Sequence, residues 1–236
     1  MTDPVIRALT ASDARLFDAL PDPLGAREGH RRTRFRPDWK RVALRAAAEA
    51  RFAAARAAGY ELLVERFLYR WTPKRGLPER PGRLRFSAEP DDTVFFDALR
   101  RIHSVTLDAH ALRAVEEGGL DQAAQEELDF FHWCPSPREW WQIAYTPEGD
   151  LAGIHIPAHN PSGPTIGFIG VVPEQRGHGY AYDLLAECTH LLVEEGAEFI
   201  GGGTDRGNFP MAANFAKAGF PVVSERINFH PARRAA

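Results

Sequence analysis

Cysteine is scarce in this chain, with two in 236 residues, which excludes a disulfide framework and fits a reducing compartment. Excess charge of one sign is lacking as well: 29 Lys and Arg stand against 32 Asp and Glu, a formal −3. Bulk affinity for nucleic acid or an anionic membrane is therefore not expected. No run of about eighteen apolar residues occurs, and Met1-Thr2-Asp3-Pro4 is not a charged segment followed by an apolar one. The expectation is a soluble, cytoplasmic protein, a monomer or homodimer, with neither a membrane nor a nucleic acid as partner. Metal ligation is not expected either, because His155 and His159 have no Cys or acidic pair at ligand spacing. What the chain does have is 44% hydrophobic residues over a length sufficient for a sizeable core.

The most informative stretch runs from Thr165 to Gly196. Thr165-Ile166-Gly167-Phe168-Ile169-Gly170-Val171-Val172 is β-branched and aromatic, and Pro173, which lacks an N–H, ends the strand. Beyond Gly177 and Gly179, the residues Ala181, Leu184, Leu185, Cys188, Leu191 and Leu192 fall at helical spacing, with Gly196 at the far end. A strand, a glycine turn and an open helix start make a site for an anion: the glycines let backbone approach closely, and the free N–H groups sit at the positive end of the helix dipole. The Walker spacing is absent, and the dinucleotide fingerprint lacks its third glycine, so neither competing phosphate loop fits.

Arg176-Gly177-His178-Gly179-Tyr180-Ala181 resembles the coenzyme A pyrophosphate loop of the GNAT acyltransferase superfamily, with Arg176, Gly179 and Ala181 in the fixed places. A second motif follows in the right order. Asn208 comes after a further apolar strand (197–200), then a short helical stretch through Met211, Asn214 and Phe215, then Gly219-Phe220. The resemblance covers about 82–230. It implies an α/β (α+β) GNAT fold, a mixed and mostly antiparallel sheet flanked by helices, and an N-acetyltransferase that passes acetyl from acetyl-CoA to a small-molecule amine in a ternary complex. It implies that Gly170, Val171 and Val172 hold the pantetheine and polarise the thioester. Gln175, Arg176, Gly177, His178, Gly179, Tyr180 and Ala181 are implied for the pyrophosphate, and Asn208, Met211, Asn214 and Phe215 for the pantetheine arm.

Along the chain, the turn-rich stretch 72–81 is the expected linker between 1–81 and 82–236. After it come a strand at 84–87, a helix opened by Asp91-Asp92, and a helical region over 107–131 interrupted near Gly118-Gly119. A hairpin follows across Thr146-Pro147-Glu148-Gly149-Asp150, and 222–229 is the last strand. In the first segment, Phe17-Asp18-Ala19-Leu20 echoes Phe96-Asp97-Ala98-Leu99, and 51–59 reads as an Ala-rich helix leading into a strand at 60–64. These parallels predict a truncated, partial GNAT-like α/β domain without a loop for coenzyme A.

Two departures from the family pattern bear on catalysis. The Tyr that many members use as acid is replaced by Phe215, and the strand 165–170 contains no carboxylate to act as base. Glu174, Tyr145, His155, His159 and Asp205 are the remaining candidates for proton transfer. Trp133, Arg138 and Glu139 lie where the family builds acceptor specificity. The alternative is a coenzyme A-binding or structural module without turnover.

Overall fold

The computed structural model describes residue 50 and residues 52–231. The strand and helix expected near 6–20, and with them the parallel to 84–99, lie outside the described residues. The chain divides into two compact units, one of residues 63–228 and one holding the remainder. In the second unit, residues 52–57 are helical, Gly59 follows at φ 76°, and Phe52 meets Phe229 edge-on at 5.3 Å.

In the larger unit the helices carry their own start and stop signals. Asp91 caps α1 (Asp92–His103) by accepting from the Thr93 N–H, and Asp108 caps α2 (Ala109–Trp133) by accepting from His110 and Ala111. On α1, Phe95, Ala98, Leu99 and Ile102 repeat at 3, 4 and 7 residues and are buried, each large one worth about 1.5–3 kcal/mol. The expected interruption in α2 is a kink at Gly119, φ 80°. The helices α3 (Tyr180–Glu194) and α4 (Phe209–Lys217) follow the glycine loop and Asn208, which caps α4.

The strands are β1 (Tyr60–Trp71), β2 (Arg85–Ala88), β3 (Gln142–Tyr145), β4 (Leu151–Asn160), β5 (Gly163–Val171), β6 (Ile200–Asp205) and β7 (Val222–Pro231). They form one sheet in the order β2-β3-β4-β5-β6-β1-β7, in which β2-β3, β3-β4, β4-β5 and β6-β1 pair antiparallel and β5-β6 parallel. The fold is thus the expected mixed sheet flanked by helices. Phe95, Leu99, Leu128 and Phe131 from α1 and α2 form one core with Ile143, Ile154 and Ile156. A second core joins Leu185, Cys188 and Leu192 of α3 and Phe215 of α4 to Tyr69 and Trp71 of β1.

Two expectations shift. The strand after α3 is 200–205 and not 197–200, because Gly196 and the residues after it form the turn; Ala197 N–H donates to the Leu192 carbonyl. The strand begun at Tyr60 continues to Trp71 and enters the sheet, pairing Arg66 with Asp205 through to Trp71 with Ile200. Phe67, Tyr69 and Trp71 face the second core at strand period, so this segment, N-terminal to residue 82, supplies part of the sheet.

Candidate active site

The site begins with a pairing that stops. On one side β5 runs antiparallel to β4 from Gly163 opposite Asn160 to Val171 opposite Gly153. On the other side its parallel pairing to β6 is a single position, Thr165 with Gly201. Beyond that point the strands separate, and a cavity of about 650 Å³ fills the gap. Every residue from Ile166 to Val171 lines it, with Gly203 and Thr204 of β6 opposite. Side chains alternate across a strand, so consecutive lining residues mean that the strand's hydrogen-bonding edge faces the cavity. Gly170 is required here by close approach: a Cβ on it would lie 2.6 Å from Ile102 Cδ1 and 2.8 Å from Cγ2.

The glycine loop closes one end. Pro173 starts a tight turn in which the N–H groups of Gln175 and Arg176 donate to the Val172 and Pro173 carbonyls. The next N–H groups, Gly177 to Ala181, meet no backbone acceptor among the described residues, and Tyr182 N–H returns to the Gly179 carbonyl. Gly179, the residue before α3, sits in the left-handed region at φ 77° and ψ 14°. Arg83 holds this turn from outside, pairing with the buried Asp183 and donating to the carbonyls of His178 at 2.8 Å and Gly179 at 3.3 Å. Its guanidinium also lies over the Tyr180 ring. Arg176 lines the cavity and donates to the Val105 carbonyl at 2.6 Å.

Of the residues picked out for coenzyme A, Gly170, Val171, Gln175, Arg176, Gly177, Gly179, Tyr180, Ala181, Asn208, Met211, Asn214 and Phe215 all line this one cavity. Val172 is fully buried behind it, and His178 does not line it. Asn208 uses its side-chain oxygen to accept from Met211 N–H, which leaves its amide nitrogen without a protein acceptor among the described residues. Phe215 is buried and stacks on Tyr69 at 4.2 Å, with Gly202 tight against its ring.

The proton-transfer candidates are not brought together. His155 is fully buried in β4, where burial pushes its pKa down to about 3 and Gln142 Oε1 lies 3.0 Å from Nε2. Tyr145 and His159 lie outside the cavity lining, the latter against the Trp140 ring. Glu174 is exposed, held below the usual carboxylate range by its own backbone N–H and by Arg101 at 3.0 Å. Asp205 is buried with Oδ1 3.2 Å from Arg66, and Oδ2 accepts from Ala109 N–H at 2.6 Å. Burial raises its carboxyl and the Ala109 bond opposes this.

The expected acceptor residues also stand apart. Trp133 is 77% exposed beside Phe130, and Glu139 is exposed. Arg138 lies over the Phe95 and Trp141 rings and pairs with Asp92 at 2.8 Å. None of the three lines the cavity, because the segment that carries them packs on the outer side of α1.

The sequence reading missed Arg66 and Asp108, which line the cavity and pair at 3.2 Å. Asp108 could have been noticed as the cap of α2. Arg66 could not, since only the sheet carries it from the first 81 residues to this place.

Residues 106–220 match the family model described as the Acetyltransferase (GNAT) family. This segment of the chain belongs to that family. Solved structures agree in fold. A GCN5-related N-acetyltransferase from Sphaerobacter thermophilus superposes with a TM-score of 0.55 at 15% identity, over 81% of this chain and 65% of that one. A Drosophila protein gives 0.50 at 13% identity, over 79% and 58%. A GCN5-related glucosamine N-acetyltransferase region of a fungal multi-domain β-N-acetylglucosaminidase gives 0.51 at 11%, over 78% and 23%. The chain thus spans less than two thirds of each of these relatives. No curated protein matches in sequence. Among the described residues of the GNAT fold, no helix is long and apolar enough to cross a membrane, and no group of three His, Cys, Asp or Glu is placed to hold a metal.

Proposed function

We propose that this protein is an N-acetyltransferase that transfers the acetyl group of acetyl-CoA to a primary amine of a small molecule, directly and within a ternary complex. The observation that carries this reading is the single cavity joining the one-sided edge of β5 to the open N–H groups of the 177–181 turn. The residues fit the donor. A pyrophosphate needs N–H donors at a helix start, an extended pantetheine amide needs an unpaired strand edge, and both are present at the ends of one cavity. Gly177 to Ala181 then hold the pyrophosphate, the backbone of Ile169 to Val171 holds the pantetheine amides, and the Asn208 amide nitrogen donates to the arm.

For the reaction, the amine must lose a proton before it attacks the thioester carbonyl. A backbone N–H on the free edge of β5 is the donor available to the developing oxyanion. The amide bond forms as the C–S bond breaks, and the second amine proton ends on the coenzyme thiol.

A second reading, binding of coenzyme A without turnover, is favoured by one observation. Phe215 is buried against Tyr69, and its ring offers no acid to the leaving thiolate. Calorimetric titration with acetyl-CoA followed by thiol release against a panel of amines separates the two. Amine-dependent release supports transfer, binding without release supports the module, and absence of binding removes both.

A further inference from the structure

The helix α4 has two apolar faces, and the large cavity uses one of them. Met211, Asn214 and Phe215 stand on the cavity wall, with Phe215 and the following Ala218 buried. Phe209, Ala212, Ala213 and Ala216 recur at 3, 4 and 7 residues and so share the opposite face. On that face Phe209 is 74% exposed, and Ala213 and Ala216 are exposed as well. A surface helix ordinarily turns polar residues to solvent, so among the described residues this face lacks its cover.

Beside the same face lies a hollow of about 460 Å³. Phe67 and Tyr69 of β1 and Phe220 line it together with Ala212 and Ala216, and the half-exposed Val222 of β7 stands at its edge. The stacked rings of Tyr69 and Phe215 separate it from the large cavity. An apolar cavity of roughly 150 Å³ is enough for a benzene ring, so the hollow has room for a phenyl side chain. One projects from the same helix, but it does not line the hollow. Phe209 and Ala216 are two turns apart, roughly 10 Å along a rigid helix, so the ring cannot fill the recess of its own copy.

We propose that this face is the interface of a two-fold symmetric homodimer in which Phe209 of each copy enters the hollow of the other. Two α4 helices crossing antiparallel about the midpoint between Ala212 and Ala213 bring Phe209 of one copy to Ala216 of the second. The same rotation brings the reverse pair together. Alanines at the crossing let the helix axes approach toward the short end of the usual range of about 8–10 Å.

Reciprocity selects the occupant. An unrelated partner would need both a recess for Phe209 and a projection for the hollow, whereas a second copy presents both at a spacing the two-fold axis matches. The area agrees with this choice. A buried Phe covers about 150–250 Å², so two rings with their two hollows remove about 600–1,000 Å² from water. The alanine stripe and Val222 of both copies carry the total toward the value of about 1,200 Å² at which stable interfaces begin. The interface uses no residue that lines the large cavity, and it stands whether or not the protein turns over acetyl-CoA.

The test is sedimentation equilibrium of the full chain over a concentration series, with Phe209→Ala, Ala216→Glu and, as a control at an exposed apolar residue of α2, Leu112→Glu. Thermal melts check that each variant folds, and should Ala216→Glu fail, Ala212→Glu blocks the same hollow in its place. The wild type should show a monomer–dimer equilibrium with a Kd in the micromolar range or tighter. Each interface change occurs twice per dimer, so Phe209→Ala and Ala216→Glu should each raise Kd at least about a hundredfold, while Leu112→Glu leaves it unchanged. A mixture of the two variants is the sharper arm. Phe209→Ala keeps its hollow and Ala216→Glu keeps its ring, so their heterodimer regains one of the two contacts and should form at least about tenfold more tightly than either variant alone. A wild type that stays monomeric, a dimer that Phe209→Ala leaves intact, or a mixture that associates no better than its components overturns the proposal. Association into open-ended oligomers overturns it too, because a two-fold contact closes on itself.

Discussion

Replacing Gly179 by a residue with a side chain tests the donor site most directly. At φ 77° an L-residue pays about 1–2 kcal/mol for left-handed backbone, and an added Cβ would meet Arg83 Nη2 at 3.6 Å, an ordinary contact. Gly179→Ala should therefore fold, melting about 2–8 °C lower for a domain of this size. Gly179→Leu adds bulk beside the open N–H groups of Gly177 to Ala181, and each charge-assisted hydrogen bond that a proposed pyrophosphate loses there removes about 1.5–3 kcal/mol, tenfold or more in Kd. Gly76→Ala separates strain from obstruction, because Gly76 also has a positive φ (74°), meets nothing within 4 Å, and lies outside the cavity. Its ψ of 157° lies in a region that side chains tolerate less well than the left-handed helical one, so the variant should show a drop in melting temperature at least as large, with unchanged acetyl-CoA affinity. Calorimetry and a thermal melt on the same samples decide the matter. A folded Gly179→Leu that binds acetyl-CoA as tightly as the wild type would refute the assignment of this loop.

Three further outcomes follow from the packing. Gly170→Ala should cost about 1–3 kcal/mol in urea unfolding because its Cβ collides with Ile102 and Phe168, and combined with Ile102→Ala it should cost less than the sum of the two single changes, a coupling a double-mutant cycle measures. Arg83→Ala should cost about 1–3 kcal/mol by leaving the buried Asp183 unpaired, and should weaken acetyl-CoA binding about tenfold as the loop carbonyls of His178 and Gly179 lose their donor. His155 is neutral in the fold, with its pKa pushed down to about 3, while in the unfolded chain it titrates near 6.5. The unfolded state therefore binds the extra proton, and stability should fall by up to about 1.4 kcal/mol per pH unit as pH drops from 6.5 toward 3. His155→Gln should flatten that slope in unfolding curves at pH 7 and pH 5.

The glycine-loop end of the cavity was legible because its geometry is local. Pro173, Gly177 and Gly179 encode strand end, turn and helix start within a few residues, and Asn208 encodes the cap of α4, so sequence spacing and spatial position coincide. The charged cluster around Arg66 was not, because it is assembled across the sheet. Arg66, His103, Asp108, Glu127 and Asp205 come from separate elements, and no sequence spacing reports their approach. Reading Trp133, Arg138 and Glu139 as acceptor residues followed position in the chain, but Arg138 is spent on Asp92 and two aromatic faces. The strand β1 was seen as β-rich, yet nothing within it shows that Arg66 lands opposite Asp205.

That same strand explains why the cavity can exist. Backbone groups left unpaired in a fold must find a partner in water, side chains or a ligand. β6 is supported along its whole length on one side, Ile200 to Asp205 against Trp71 to Arg66, and so it can leave β5 after one paired position without unravelling. β5 is supported equally well by β4. Each strand of the split is thus held by its other neighbour, and the edges facing the gap can stay open for a ligand's amides. A cut that removed β1 should therefore cost the site its β6 wall as well as Arg66. Residues 82–236 alone are expected to lose the donor cavity even though they contain the whole glycine loop.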